Sequence, residues 1–461
     1  MPLLLSLLPA LTHLTVKLKP DSRSSPSEYD QFIRSVNLDN IQSSDKNNGN
    51  YNLVFLCLDS TLRRNFRLMW IAMHCPRLKY LLVSEHNIFE SLISVPISFA
   101  RILESCPSVR YISWGYNTEA RKTEKEWLAL SRTRTRRDTN NENNNHYEKG
   151  EGNYLRQVEV YSEDRQQHIL ALKTSLQRPL LLEHLILSTS SHLDLYEIWD
   201  SFTQQNNYLL LQPLRLKSLE LIGFSVPNQT ENLIFFKDVF NYFQCTERLK
   251  LDCFLGAVRN LEGARCYIYK VVQAIGCHLH QLRYLYVGFA YGTTDGSKTA
   301  TTIYDNLFTT LCDRNQKLDV LHLNNVPISS EMLLDLCHHP KLHTLNLSGC
   351  CLHKHLTKDA LILFARKLQE QGQRSFSGIQ SMLLSCNYCD NVTNEVLEEL
   401  AGVKSLKALG IEYNSYITDA GINKFASANS SISKKHKRIE LYRCRNVSFH
   451  NPHVVFVDSP F

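Results

Sequence analysis

Long hydrophobic runs are missing from this sequence. No apolar stretch approaches the ~20 residues that cross a bilayer as a helix, so no membrane-spanning helix is expected. Glycine and proline are sparse, 17 and 14 in 461 residues, which excludes collagen-like and Pro/Gly-rich low-complexity chains. The 14 cysteines, running from Cys57, Cys75, Cys106 and Cys245 to Cys444, follow no framework spacing, so reduced thiols in the cytosol or nucleus are expected. Met1 to Leu11 is leucine-rich but lacks a basic leading segment and a small-residue cleavage site. It therefore reads as part of the pattern described below rather than as a secretory leader. Reaction motifs are missing too: there is no Gly-x-Ser-x-Gly elbow, no Gly-x-x-x-x-Gly-Lys phosphate loop and no His-Glu-x-x-His helix, and no enzyme is expected. The carboxylate pair Glu331 and Asp335 sits at helical spacing and reads as a solvent face. A net charge of +6, from 51 basic and 45 acidic residues, is too modest to argue for nucleic acid.

What is present is apolar material, 43% of the residues, arranged with a period. By length the chain could hold about three compact domains of ~150 residues or one elongated array. The unit apolar-x-x-apolar-x-apolar decides for the array. It matches Leu78-Leu81-Val83, Val109-Ile112-Trp114, Leu155-Val158-Val160, Leu182-Leu185-Leu187 and Leu216-Leu219-Leu221. It continues through Leu282-Leu285-Val287, Leu318-Leu321-Leu323, Leu342-Leu345-Leu347, Ile379-Met382-Leu384 and Leu406-Leu409-Ile411. Weaker copies lie at Leu11-Leu14-Val16, around Leu249 and Leu251, and at Ile439 and Leu441. Alternating apolar residues make a short strand with one buried face.

Three residues past the last apolar position the chain must turn, and a small polar side chain is needed inside. That slot holds Asn117, Cys350, Asn387, Asn414 and Cys444, while Ala290, Val326 and Ser190 interrupt the ladder. An Asn there can bond the turn's orphaned backbone groups, and Cys is small enough to pack in its place. Helix starts follow. Thr418 offers an N-cap ahead of Ile422, Phe425 and Ala426, Thr393 does the same ahead of Leu400, and Ser329 precedes Met332, Leu333 and Leu336.

The stretch from Leu406, Leu409 and Ile411 through Asn414, Ile417, Thr418, Asp419, Gly421 and Ile422 resembles the cysteine-containing subtype of leucine-rich repeat, as do Leu342–Cys350 and Ile379–Leu397. The resemblance implies an α/β fold: a solenoid, horseshoe or arc, with a parallel sheet on the concave face and helices on the convex face. This subtype is typical of F-box proteins, the substrate receptors of cullin-type ubiquitin ligases. The F-box itself, a helical segment opening Leu-Pro-x-Glu, is not found. The resemblance thus implies a non-catalytic recognition scaffold, the substrate-binding part of a ligase adaptor, that meets the cullin linker protein if an F-box lies upstream. The alternative is a repeat-only scaffold or inhibitor with no ligase role.

Segments are expected as follows: a degenerate repeat over 1–19, a flexible loop over 20–50, degenerate repeats over 51–116, and a disordered Arg/Asn-rich insertion over 117–153. Further degenerate repeats cover 154–315, well-matched ones 316–447, and a tail 448–461. Two basic runs, Arg132/Arg134/Arg136/Arg137 and Lys434/Lys435/Lys437/Arg438, read as solvated loops. No aromatic residues interleave with them at stacking spacing, so nucleic acid is not an expected partner.

Between Cys337 and Cys389 lies a concentration of metal-type side chains, including His338, His339, Cys350, His353, His355 and the Cys386-x-x-Cys389 pair. The repeat frame assigns Cys350 to the ladder and Cys337 to a helix end, so no metal or other cofactor is expected; Cys386, Cys389, Cys351 and His353 are the set to test for zinc. The expected binding surface is the strand face opposite the apolar one. Its candidates are Arg283, Tyr284, Tyr286, Asp319, His322, His343, Asn346, Lys407, Glu412, Tyr413, Glu440, Tyr442 and Arg443, with a protein target as the occupant.

Overall fold

In the computed structural model of the chain, the described residues are 13–17, 53–59, 75, 77–84, 109–114, 156–161, 165, 168–169, 171–172, 182–205, 216–226, 233–255, 261–291, 311–326, 328–348, 357–372, 378–385, 391–427, 437–448 and 454–456. The protein is α/β and repetitive, and every described strand pair is parallel and joins strands consecutive in sequence. It divides into two compact units: residues 1–190 with 198–209, and residues 191–197 with 210–461. No helix among the described residues is long and apolar enough to cross a membrane.

The first unit contains β1 (His13–Lys17), β2 (Phe55–Asp59), β3 (Tyr80–Ser84), β4 (Tyr111–Trp114), β5 (Gln157–Tyr161) and β6 (His184–Ser188), paired in chain order. One face carries the expected apolar rows, such as Leu56, Leu81, Ile112, Val158 and Leu185 in register. Here the expectation of a single buried face fails. On the opposite face Phe55, Tyr80, Leu82 and Tyr111 form a second buried cluster, and the Tyr80 and Tyr111 rings stack nearly parallel with centroids 4.7 Å apart. Phe-Leu-Cys-Leu and Tyr-Leu-Leu-Val are unbroken apolar runs, which suit a parallel strand covered on both sides.

The second unit runs in the order β7 (Ser218–Val226), α2 (Leu233–Tyr242), β8 (Arg248–Leu255), α3 (Leu261–His278), β9 (Tyr284–Tyr291), β10 (Val320–Asn324), α4 (Ser330–Cys337) and β11 (Thr344–Ser348). There follow α5 (Lys358–Gly372), β12 (Ser381–Ser385), α6 (Asn394–Ala401), β13 (Ala408–Glu412), α7 (Asp419–Ser427), β14 (Arg438–Tyr442) and β15 (Val454–Phe456). In sequence they are preceded by α1 (Leu195–Gln205), whose residues 198–205 belong to the first unit. Leu321 and Leu323, Leu345 and Leu347, Met382 and Leu384, Leu409 and Ile411, and Ile439 and Leu441 line up in register and are all buried. The helices supply the other half of this core with Met332, Leu333 and Leu336, with Val396, Leu397 and Leu400, and with Ile422 and Phe425. Each such side chain contributes roughly 1.5–3 kcal/mol by burial.

Where Asn414 and Cys444 fill it, the turn slot is occupied as its chemistry requires. Asn414 is buried; its Oδ1 accepts from the amides of Tyr416 (2.8 Å) and Ile417 (2.9 Å), and its Nδ2 donates to the carbonyl of Val392 one coil earlier (2.9 Å). One coil later Cys444 is buried with its thiol 3.5 Å from the carbonyl of Ile411, and burial pushes that thiol up to about 11. Asn117, Cys350 and Asn387 lie outside the described residues. Just before this slot the backbone turns left-handed at Asn325 (φ 55°), Tyr413 (φ 48°) and Arg443 (φ 51°).

The helix starts are made in three different ways. Ser329 caps α4 in a reciprocal box, its hydroxyl accepting from the Met332 amide at 3.2 Å while the Met332 sulfur, in place of the usual Glu, accepts from the Ser329 amide. Thr393 occupies the cap position of α6 without a side-chain cap bond. At α7, Thr418 is clamped by Asn394 of the preceding helix, amide to Oδ1 and Nδ2 to hydroxyl, both at 2.9 Å. Gly421 makes room for this clamp, since a Cβ there would stand 2.2 Å from Asn394 Oδ1.

Candidate protein-binding face

In β7 to β14 the residues between the buried ones point to the other side of the sheet, and the register stacks them in rows. Arg248, Tyr284, Val320 and Thr344 form the start of one row, Lys250, Tyr286, His322 and Asn346 of the next, and Asp252, Gly288, Asn324 and Ser348 of the third. Tyr284, Tyr286, His322, Asn346, Glu412, Glu440 and Tyr442 all lie on this face as the alternation requires. Arg283, Asp319, His343 and Lys407 sit one residue ahead of their strands, on its rim.

At β8–β10 the face carries layered rings and cations. The Arg248 guanidinium lies 4.0 Å over the Tyr284 ring and the Lys250 ammonium 5.3 Å over the Tyr286 ring, while the His322 ring centroid is 5.4 Å from Tyr284 and 6.1 Å from Tyr286. Gly288 leaves space for the Tyr286 ring, since a Cβ there would be 2.8 Å from it. The Tyr286 hydroxyl donates to Asp252 and accepts from Asn324 Nδ2 at 3.1 Å. Burial, then the Asp252 charge, pushes Tyr286 up to about 12. Burial likewise raises the Asp252 carboxyl against the pull of Lys250. His322 is held below the ordinary imidazole range by burial and by Arg248 and Lys250, so it is neutral at pH 7.

Much of the rim is occupied within the chain. Asp319 Oδ1 meets His343 Nδ1 at 2.6 Å, Arg283 stands 3.9 Å from Glu247, and Lys407 donates to Gln380 Oε1 at 2.6 Å. Arg248 approaches Glu220 at 3.4 Å, and Arg438 pairs with Glu440. Exposed pairs of this kind are worth little in stability, but they neutralise the charge on offer to a partner. Toward the last coils the surface changes. Val320, Thr344, Ser381 and Ala408 are aligned, small and uncharged, and then Tyr413, Tyr442 and Arg443 rise as a cluster. Glu412 and Tyr442 are on the expected face but are buried, at 3% and 7% exposure.

Lys437 corrects the sequence reading of a solvated basic run. It is 7% exposed, and its ammonium donates to the carbonyls of Ala401 (2.9 Å) and Val403 (2.8 Å), lies 3.5 Å from that of Leu400, and sits 5.1 Å from the Phe425 ring. It caps the C-terminus of α6, where the helix dipole favours a cation; burial pulls it down to about 8. Arg438 beside it is exposed, while Lys434, Lys435 and Arg132–Arg137 lie outside the described residues.

Of the metal-type side chains, Cys351, His353, Cys386 and Cys389 also lie outside the described residues, among which no group of three His, Cys, Asp or Glu is placed to hold an ion. Cys337 ends α4 with its buried thiol 3.8 Å from the Phe364 carbonyl, and burial pushes it up to about 12. His339 is buried, donating from Nε2 to the Asn315 carbonyl (3.0 Å) and accepting at Nδ1 from the Lys341 amide (3.3 Å). Sequence reasoning overlooked Arg248, Lys250, Asp252 and Asn324. The alternation through the weak copy at Leu249 and Leu251 already contained the first three.

No protein-family model matches the chain, and no curated protein shows significant similarity to it.

Proposed function

We propose that this chain is a non-catalytic recognition scaffold of the leucine-rich repeat kind, working in the cytosol or nucleus, whose outer sheet face holds a protein target. The observation that carries the reading is the register: consecutive coils present side chains in straight rows, with Tyr284, Tyr286 and His322 layered against Arg248 and Lys250. Tyr and Arg concentrate binding energy at protein interfaces because they bury much area at little entropic cost. Here their rotamers are set in advance by stacking and by the Gly288 gap, which lowers the cost of ordering on association. A rigid repeat array suits this use, since each coil supports its neighbours and single face residues change without loss of the core.

Within that class the reading is the substrate-binding part of a cullin-type ubiquitin ligase adaptor. It is supported by the match of residues 406–422 to the repeat subtype common in such receptors. Such a protein does no bond chemistry; it holds a target where another subunit transfers ubiquitin. The test is a pull-down of the full-length gene product with purified cullin linker protein. Stoichiometric co-purification is expected, and its failure removes the adaptor role. Paired Tyr284→Ala and Tyr286→Ala substitutions should abolish capture of the target while leaving the melting temperature within a few degrees. Unchanged capture would overturn the assignment of the face.

A further inference from the structure

Three coils of the second unit place a non-glycine residue in the left-handed region just before the turn slot: Asn325, Tyr413 and Arg443. The turn itself demands this conformation, because the amides of Asn325 and Tyr413 there donate to the next coil, at the carbonyls of Ser348 and Tyr442, both at 2.8 Å. Asn tolerates a positive φ; Tyr and Arg do not do so readily, and holding them there costs stability. Their side chains show what the conformation provides. The Tyr413 and Tyr442 rings meet edge to face at 5.1 Å, and the Arg443 guanidinium lies across both, 5.4 Å and 5.2 Å from their centroids.

Arg443 differs from the other arginines of this face. Arg248, Arg283 and Arg438 each have a carboxylate within ion-pair distance, whereas Arg443 has none among the described residues and is exposed. Arg445, two residues on, is exposed and likewise unpaired among the described residues. Glu412, the acid on the neighbouring strand, is buried, and its charge acts on Tyr413 and Cys444. The result is an aromatic corner with an exposed guanidinium laid against it, and a planar guanidinium is the group that receives a carboxylate through two parallel N–H donors.

We infer that Tyr413, Tyr442 and Arg443 form the docking point for an acidic segment of the bound protein, with a Glu or Asp side chain seated on the Arg443 guanidinium; this rests on the reading of the chain as a recognition scaffold. The test is binding of a fluorescent hexaglutamate peptide to the full chain, with ring-proton shifts of Tyr413 and Tyr442 as the local readout. Arg443→Asn is the informative variant, because Asn tolerates the backbone angle and should keep the melting temperature at or above that of the parent. At least a tenfold loss of affinity in Arg443→Asn is expected, a smaller loss in Arg443→Lys, and no binding of hexaglutamine. Equal binding by parent and Arg443→Asn, binding of hexaglutamine as tight as hexaglutamate, or no binding of hexaglutamate overturns the inference. So does a phosphoserine peptide that binds more than tenfold tighter than hexaglutamate. If hexaglutamate fails while the chain still retains the cullin linker protein, the docking point is wrong and the adaptor reading stands; hexaglutamate binding without the linker protein gives the reverse.

Discussion

Removing the Asn414 side chain tests the ladder most directly. Asn414→Ala deletes three hydrogen bonds of 2.8–2.9 Å and strands the Ile417 amide and the Val392 carbonyl, both belonging to residues with no solvent exposure. The Tyr416 amide belongs to an exposed residue and can turn to water, so it is discounted. A buried group left unmade costs ~1–3 kcal/mol, which puts the loss at about 3 kcal/mol for the two that remain. Because coils unfold locally in a repeat array, the effect should be read by hydrogen exchange at the β13 amides. At ~1.4 kcal/mol per decade, exchange there should accelerate about a hundredfold. Asn414→Cys should fall between parent and Ala, since the Cys444 thiol shows that a sulfur in this slot reaches the preceding coil's carbonyl but cannot accept from two amides. Exchange within threefold of the parent in Asn414→Ala, or identical rates in the Ala and Cys variants, would refute the idea that this slot joins the coils.

Gly421→Ala should destabilise even though Ala favours helix by ~1 kcal/mol, because its methyl would collide with the Asn394 clamp; adding Asn394→Ala should recover most of the loss in a double-mutant melting cycle. Lys437 has a folded pKa of about 8, below its unfolded value, so the unfolded chain binds more protons between the two and this group makes stability rise with pH from about 8 to ~10.4. Lys437→Met should flatten that rise in melting scans, and an unchanged slope would show that the ammonium is not held in the buried site. Burial also holds His339 below its ordinary value, so stability should be full above pH ~6.5 and fall on acidification, as protonation turns the Nδ1 acceptor toward the Lys341 amide. Nitrogen NMR should find the Nε2–H tautomer at pH 7, and an imidazolium there would contradict the assigned bonds. Gly288→Ala should displace the Tyr286 ring and weaken target binding severalfold with little change in melting, because the methyl meets the ring and Asp252 on the outer face rather than the core.

The repeat was legible because it rests on local chemistry. Alternation located the strands around Leu321, Leu345, Leu409 and Ile439, and the three-residue offset located Asn414 and Cys444 as buried turn residues. It also chose the correct sheet face for Tyr284, Tyr286 and His322. The same reasoning missed Lys437, since a lysine next to Arg438 gives no sign that the carbonyls ending α6 lie within reach of its ammonium. It missed the pairings of Asp319 with His343 and Lys407 with Gln380, which span whole coils, and the burial of Glu412 and Tyr442. The sequence by itself determined which residues share a face, because a strand's period of two is a property of the backbone. Tertiary structure alone decided which charges on that face are already neutralised and which, like Arg443, remain available, because that depends on distances between coils that no single repeat encodes.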